Sequence, residues 1–173
     1  MKISFLTATA LAALTLAAAC KKKDDNPAPA TQQLSGTLSG ANSIKPTSAS
    51  TATGTVTGTY DPNTQMLNYT LTFSGLTGPP KAAHFHYGDP QHTGDIFIPL
   101  SNLPTGTSGT ITGSTMLTTV PAVPAVPATA TTPAVLAKPM AVQSDSFKLG
   151  HVYANIHTAM YPAGEIRANV VVK

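Results

Sequence analysis

The chain has no tryptophan and one cysteine, Cys20, and only 10% of its 173 residues are charged. A lone cysteine excludes an internal disulfide. No apolar run reaches the roughly 20 residues of a membrane-spanning helix; the longest, Phe5 to Ala19, has about fifteen. The chain also lacks a glycine-rich phosphate loop, a G-x-S-x-G nucleophile elbow and any thiol beyond Cys20. Its acids, mostly in turns, form no carboxylate pair suited to glycoside hydrolysis. A basic stripe is missing too, although the isoelectric point is about 9.1. Lys2 and Lys21 to Lys23 supply much of the positive charge, whereas from Leu34 onward Lys45, Lys81, Lys138, Lys148, Arg167 and Lys173 stand against Asp61, Asp89, Asp95, Asp145 and Glu165. That near-balance leaves no electrostatic footprint for phosphate, which excludes nucleic acid as a partner.

Lys2 followed by the short apolar run has the form of an export signal. The run ends in Leu16-Ala17-Ala18-Ala19-Cys20, which resembles a bacterial lipoprotein signal with Ala17 where an aliphatic residue is commoner. The resemblance implies a signal peptide over 1–19 and a lipid on Cys20; a plain secreted chain is the alternative. KKKDDNPAPATQQ, residues 21–33, has little to bury and reads as a solvated tether. Its Lys- and Asp-rich start resembles surface-export signals of some Gram-negative lipoproteins. The expectation is an outer-membrane lipoprotein, attached through its lipid and exposed to protein or glycan partners.

The remaining residues, 34–173, suit one domain rich in Thr, Val, Gly and Pro, a composition of strands and turns. In QMLNYTLTFSG (65–75), Leu67, Tyr69, Leu71 and Phe73 share one face, the period of a half-buried strand. TATGTVTGTY (51–60) precedes it across the turn Asp61 to Thr64, so the two form a hairpin. Further strands are expected at 34–40, 81–87, 94–100, 106–114, 151–157 and 164–172, and no segment has a helical period. About eight short strands predict an all-β antiparallel sandwich or Greek-key barrel, immunoglobulin-like or superoxide-dismutase-like. The Pro/Ala/Val-rich stretch at 118–139 interrupts this pattern with prolines 121, 124 and 127. It reads as a projecting low-complexity loop, with a PxxP ligand as the alternative.

Histidine is scarce, with five in the chain, yet AAHFHYG (82–88) holds two. On a strand His84 and His86 share a face opposite Ala83 and Phe85. In YANIH, Ala154 and Ile156 point inward, and Tyr153, Asn155 and His157 outward. If these strands are neighbours, His84, His86 and His157 come within reach of one Zn or Cu ion, since imidazole suits both. His92, Asp95 and Glu165 are weaker candidate ligands. His151 reads as a surface residue. The competing reading is structural: Asn155, Glu165 and Arg167 tie the outward face, His157 included, into a polar network.

Three stretches together resemble the CHRD domain: LSGANSIKPTSASTATGTVTGTYDP, LNYTLTFSGLTGPPKAAHFHYG and YANIHTAMYPAGEIRANV. The most specific residues are Asn155-Ile156-His157-Thr158, Pro162 and Gly164-Glu165-Ile166-Arg167. Departures are Ile44-Lys45-Pro46, where an acid and paired prolines are usual, and Ala168 in place of glycine. The resemblance implies a secreted β domain without a defined activity, and kinship of fold does not transfer function. The expected role is a non-enzymatic binding or structural module of the envelope. The alternative is a metal-binding or metal-dependent redox protein built on His84, His86 and His157. A His-x-His pair on a Greek-key barrel also resembles copper-zinc superoxide dismutase, but that enzyme's full ligand set is not found here.

Overall fold

A computed structural model describes residues 28–44, 48–120 and 141–173. The expected signal segment 1–19, Cys20 and most of the Pro/Ala/Val-rich stretch lie outside the described residues. Alternating threonines and apolar residues build the first hairpins: β1 (Gln32–Ser39), β2 (Thr53–Asp61) and β3 (Met66–Ser74) pair in antiparallel order. The turn between β2 and β3 is held by Asp61, whose Oδ1 accepts from the Asn63 backbone N–H at 2.8 Å. Leu67, Tyr69, Leu71 and Phe73 are all buried on one face.

β4 (Ala82–Tyr87), β5 (Ile96–Pro99), β6 (Gly109–Met116), β9 (Val152–His157), β10 (Ile166–Asn169) and β11 (Val171–Val172) complete the main sheet. Its order is β5-β4-β9-β10-β1-β2-β3-β6, with β11 also on β1. Every pairing in it is antiparallel. The chain crosses between the sheet's halves three times, from β3 to β4, from β5 to β6 and from β6 to β9, as a Greek key does. The expected sandwich is thus one continuous sheet curled on itself. Tyr69 of β3 meets Phe85 of β4 edge to face at 5.4 Å, though four strands separate them in the sheet order. That contact closes the core from opposite sides.

Three features depart from the sequence expectations. β1 begins at Gln32, inside the stretch expected to be tether, because its ladder to β2 continues to Gln32↔Tyr60. Where no helix was expected, α1 (Gln143–Lys148) forms a single short element and places Phe147 in the core, 6.0 Å from Phe85 and 5.8 Å from Phe97. A helix of that length is too short to show a period in sequence. The start of the proline-rich stretch is strand: β7 (Thr119–Val120) pairs with β8 (Ala141–Val142), just beyond the stretch, as a separate two-stranded sheet.

The outer face of β4, β9 and β10 carries the polar residues expected there, but it is not open to water. Tyr153, Asn155, Glu165 and Arg167 are buried, Glu165 completely. Residues 43–44, 48–50 and 88–94 lie over this face. Ser50 Oγ reaches Glu165, and the Arg167 guanidinium reaches the backbone of Asp89 and His92. Period two tells which side of the sheet a residue takes, and a loop then decides whether that side is wet.

Candidate metal centre

β4 and β9 are neighbours, in the register His84↔Asn155, His86↔Tyr153 and Ala82↔His157. Side chains diagonal to one another on an antiparallel pair are within reach of long or aromatic groups. His157 therefore leans over His84, with ring centroids 5.1 Å apart, while His84 and His86 stand 5.3 Å apart along β4. The ladder between β4 and β5 shifts at Phe85/His86, an irregularity that re-aims His86. One nitrogen from each of His84, His86 and His157 lies within 4.8 Å of the others.

Neighbouring carbonyls set the tautomers. His157 Nδ1 lies 2.9 Å from the Pro162 carbonyl and His86 Nδ1 lies 3.1 Å from that of Gly94. A carbonyl only accepts, so both Nδ1 atoms carry the proton and both Nε2 atoms keep a lone pair. The His86 Nε2 is buried and has no hydrogen-bond partner among the described residues. His84 Nδ1 stands 3.3 Å from His157 Nε2 and donates to it. Zinc–nitrogen bonds of about 2.05 Å at a tetrahedral angle put two nitrogens roughly 3.3 Å apart, so this pair has a zinc-like separation. Ligation requires that His84 move its proton to Nε2 and that the three nitrogens, now within 4.8 Å of one another, draw in to zinc-like separations. Backbone carbonyls that orient imidazoles from behind are the usual outer support of metal-binding histidines.

Electrostatics also favour ligation. Burial, then the neighbouring His157 and His86, lower the His84 pKa to about 4. Burial lowers that of His86 as well, against the opposing pull of the Gly94 carbonyl. Both imidazoles are therefore neutral near pH 7, the form that binds a metal. Tyr153 stacks on His86 at 4.7 Å with the rings 4° from parallel, and the Arg167 guanidinium sits 3.6 Å from the Tyr153 ring centroid.

The weaker candidates fall elsewhere. His92 turns onto Asp89 in its own loop, 2.8 Å from Oδ1, with most of its side chain exposed. Asp95 is exposed and lends its backbone carbonyl to the Tyr87 N–H. Glu165 accepts four hydrogen bonds, from Ser50 Oγ, Thr77 N, Thr77 Oγ1 and Thr158 Oγ1, at 2.6 to 2.9 Å. Burial alone would raise its pKa, but these donors outweigh burial and the net shift is downward. Glu165 and Arg167 thus hold loops over the face, and the hydrogen bonds of His157 go to His84 and Pro162 instead. Asn155 Nδ2 donates to the Ala163 carbonyl at 3.2 Å. Sequence reading missed Ser50 and Thr77 as partners of Glu165 because no local spacing links residues that far apart in the chain, and it missed Thr158, seven residues away, because the turn that brings it back onto Glu165 has no period. His151 is exposed, as expected.

The model of one protein family, the CHRD domain, matches residues 34–170. No curated protein and no solved structure matches the chain.

Proposed function

The chain belongs to the CHRD domain family, which is not an enzyme family, and from that membership we propose a non-enzymatic binding module whose ligand is a divalent metal ion held by His84, His86 and His157. The observation that carries the reading is the convergence of three imidazoles from two paired strands, two of them oriented by backbone carbonyls. Three imidazole nitrogen donors suit Zn(II) or Cu(II) over the hard, oxygen-seeking Mg(II) and Ca(II). The module is held at the cell envelope, in the outer membrane, by a lipid on Cys20.

The test is Zn(II) and Cu(II) titration of the full chain, purified in detergent and stripped with a chelator, beside His84→Ala/His86→Ala. The expected result is one ion per chain with sub-micromolar affinity, lost in the double variant. Binding that persists in the variant, or none by the folded parent chain, overturns the metal reading. Cys20→Ser should move the protein from the membrane to the soluble fraction, and retention in the membrane overturns the anchor.

A further inference from the structure

Beside the three histidines lies a cavity of about 150 Å³. Its lining includes Ser43, His86, Asn155 and Arg167, and each of these buried side chains has one polar atom with no hydrogen-bond partner among the described residues. The atoms are Ser43 Oγ, His86 Nε2, Asn155 Oδ1 and Arg167 Nε. Buried polar atoms without partners are rare and costly, and four around one space mark it as a site for something polar. Exposed Thr93 and Ala163 also line the cavity, which gives it a way out to solvent.

The chemistry of the four atoms narrows the occupant. Arg167 Nε carries a proton and a positive charge, and Ser43 supplies a hydroxyl. Asn155 Nδ2 already donates to the Ala163 carbonyl, so its Oδ1 is an acceptor in need of a donor. The His86 Nε2 lone pair, once on a metal, places a cation at the cavity wall. A cation, a guanidinium N–H and a hydroxyl call for an anion, and the lone amide oxygen calls for one O–H on that anion. We infer that the cavity takes a small oxyanion bearing one hydroxyl, of the bicarbonate type, as a further ligand of the metal. The Arg167 N–H and the Ser43 hydroxyl donate to its oxygens, and its hydroxyl donates to Asn155 Oδ1. The space suits a small polyatomic ion with water beside it and does not admit a nucleotide. This inference rests on the metal reading above.

Cobalt(II) separates the two. The full chain is loaded with Co(II), whose visible bands report a low-coordinate nitrogen site, and is then titrated with bicarbonate, formate and chloride. Bicarbonate is expected to shift the bands saturably, and formate, which lacks the hydroxyl, to need at least several-fold higher concentration. Ser43→Ala, a small change away from the metal ligands, should weaken bicarbonate about threefold to tenfold and leave the starting bands unaltered, the effect of one neutral hydrogen bond. Arg167→Lys, which keeps the charge and loses the Nε donor, should weaken it further. If the bands form and none of the anions shifts them, the oxyanion inference fails and the metal reading stands. Equal affinity for formate and bicarbonate removes the role assigned to Asn155 and overturns the inference as well. Absent bands in the folded parent chain overturn both.

Discussion

Glu165 shows what one residue contributes when a loop covers a sheet. Its carboxylate is the common acceptor for Ser50, Thr77 and Thr158, which belong to three segments distant in sequence. All of these partners donate to a negative charge, so a neutral amide in its place loses the charge-assisted bonds, keeps one oxygen for four donors and makes the hydroxyls facing its N–H₂ turn round to accept. Glu165→Gln is therefore expected to cost about 3 kcal/mol, the scale of buried donors stripped of a charged acceptor. Urea unfolding checks it, and a loss under about 0.5 kcal/mol, typical of a surface substitution, would refute the role. The sequence marked Glu165 as a polar residue on the outward face. It could not reveal that Ser50 and Thr77 would be the partners, because loop closure alone brings them there.

At the scale of elements, the packing of β6 on β3 depends on a missing side chain. Tyr69 pairs with Gly113 across the ladder, and a Cβ at Gly113 would fall on the Tyr69 phenol. The ring lies over the glycine, an arrangement that supports both strands and aims Tyr69 at Phe85. Gly113→Val should drive the ring out of the core and cost about 3 kcal/mol, with loss of tyrosine near-ultraviolet dichroism. Thr112→Val, exposed on the same strand, should change stability by less than about 0.5 kcal/mol. Comparable losses in the two variants would show that strand propensity and not ring packing is responsible. Alternation made β3 legible down to its buried face, whereas the glycine's purpose needed the register between strands that only pairing supplies. The short helix α1 escaped notice for a related reason: among its residues of described burial Phe147 is the one in the core, and one residue has no period.

The whole molecule should respond to acid in two steps. His84 has a folded pKa of about 4, below the ordinary 6.5, so the unfolded chain binds the proton more readily. Stability from this source is complete above about pH 6.5 and is lost as pH falls through about 4. The Glu165 pKa is also lowered, from 4.5, so its contribution is present above that value and fades at lower pH. Chemical unfolding of the metal-free chain should thus show falling stability below pH 6.5, with a further fall below 4.5. His86, whose pKa is also lowered, adds to the upper step, so His84→Ala should shrink that step and leave the lower one, and an unchanged upper step would assign it to other groups.

Composition and period two determine the class of this protein, its inward residues and the outward placement of His84, His86 and His157, because these follow from the alternation of a pleated backbone. The resemblance to the CHRD domain was legible in the same way, since it rests on local runs such as Asn155 to Thr158 and Gly164 to Arg167, and the family match over 34–170 agrees with it. Tertiary structure alone decides that β4 lies beside β9, that the sheet curls until Tyr69 meets Phe85, and that residues 43–44, 48–50 and 88–94 roof the outer face. Those outcomes depend on contacts between residues far apart in the chain, whose energies no local pattern encodes. The cavity beside the histidines is the sharpest case, for its walls come from the 40s, 80s, 90s, 150s and 160s at once.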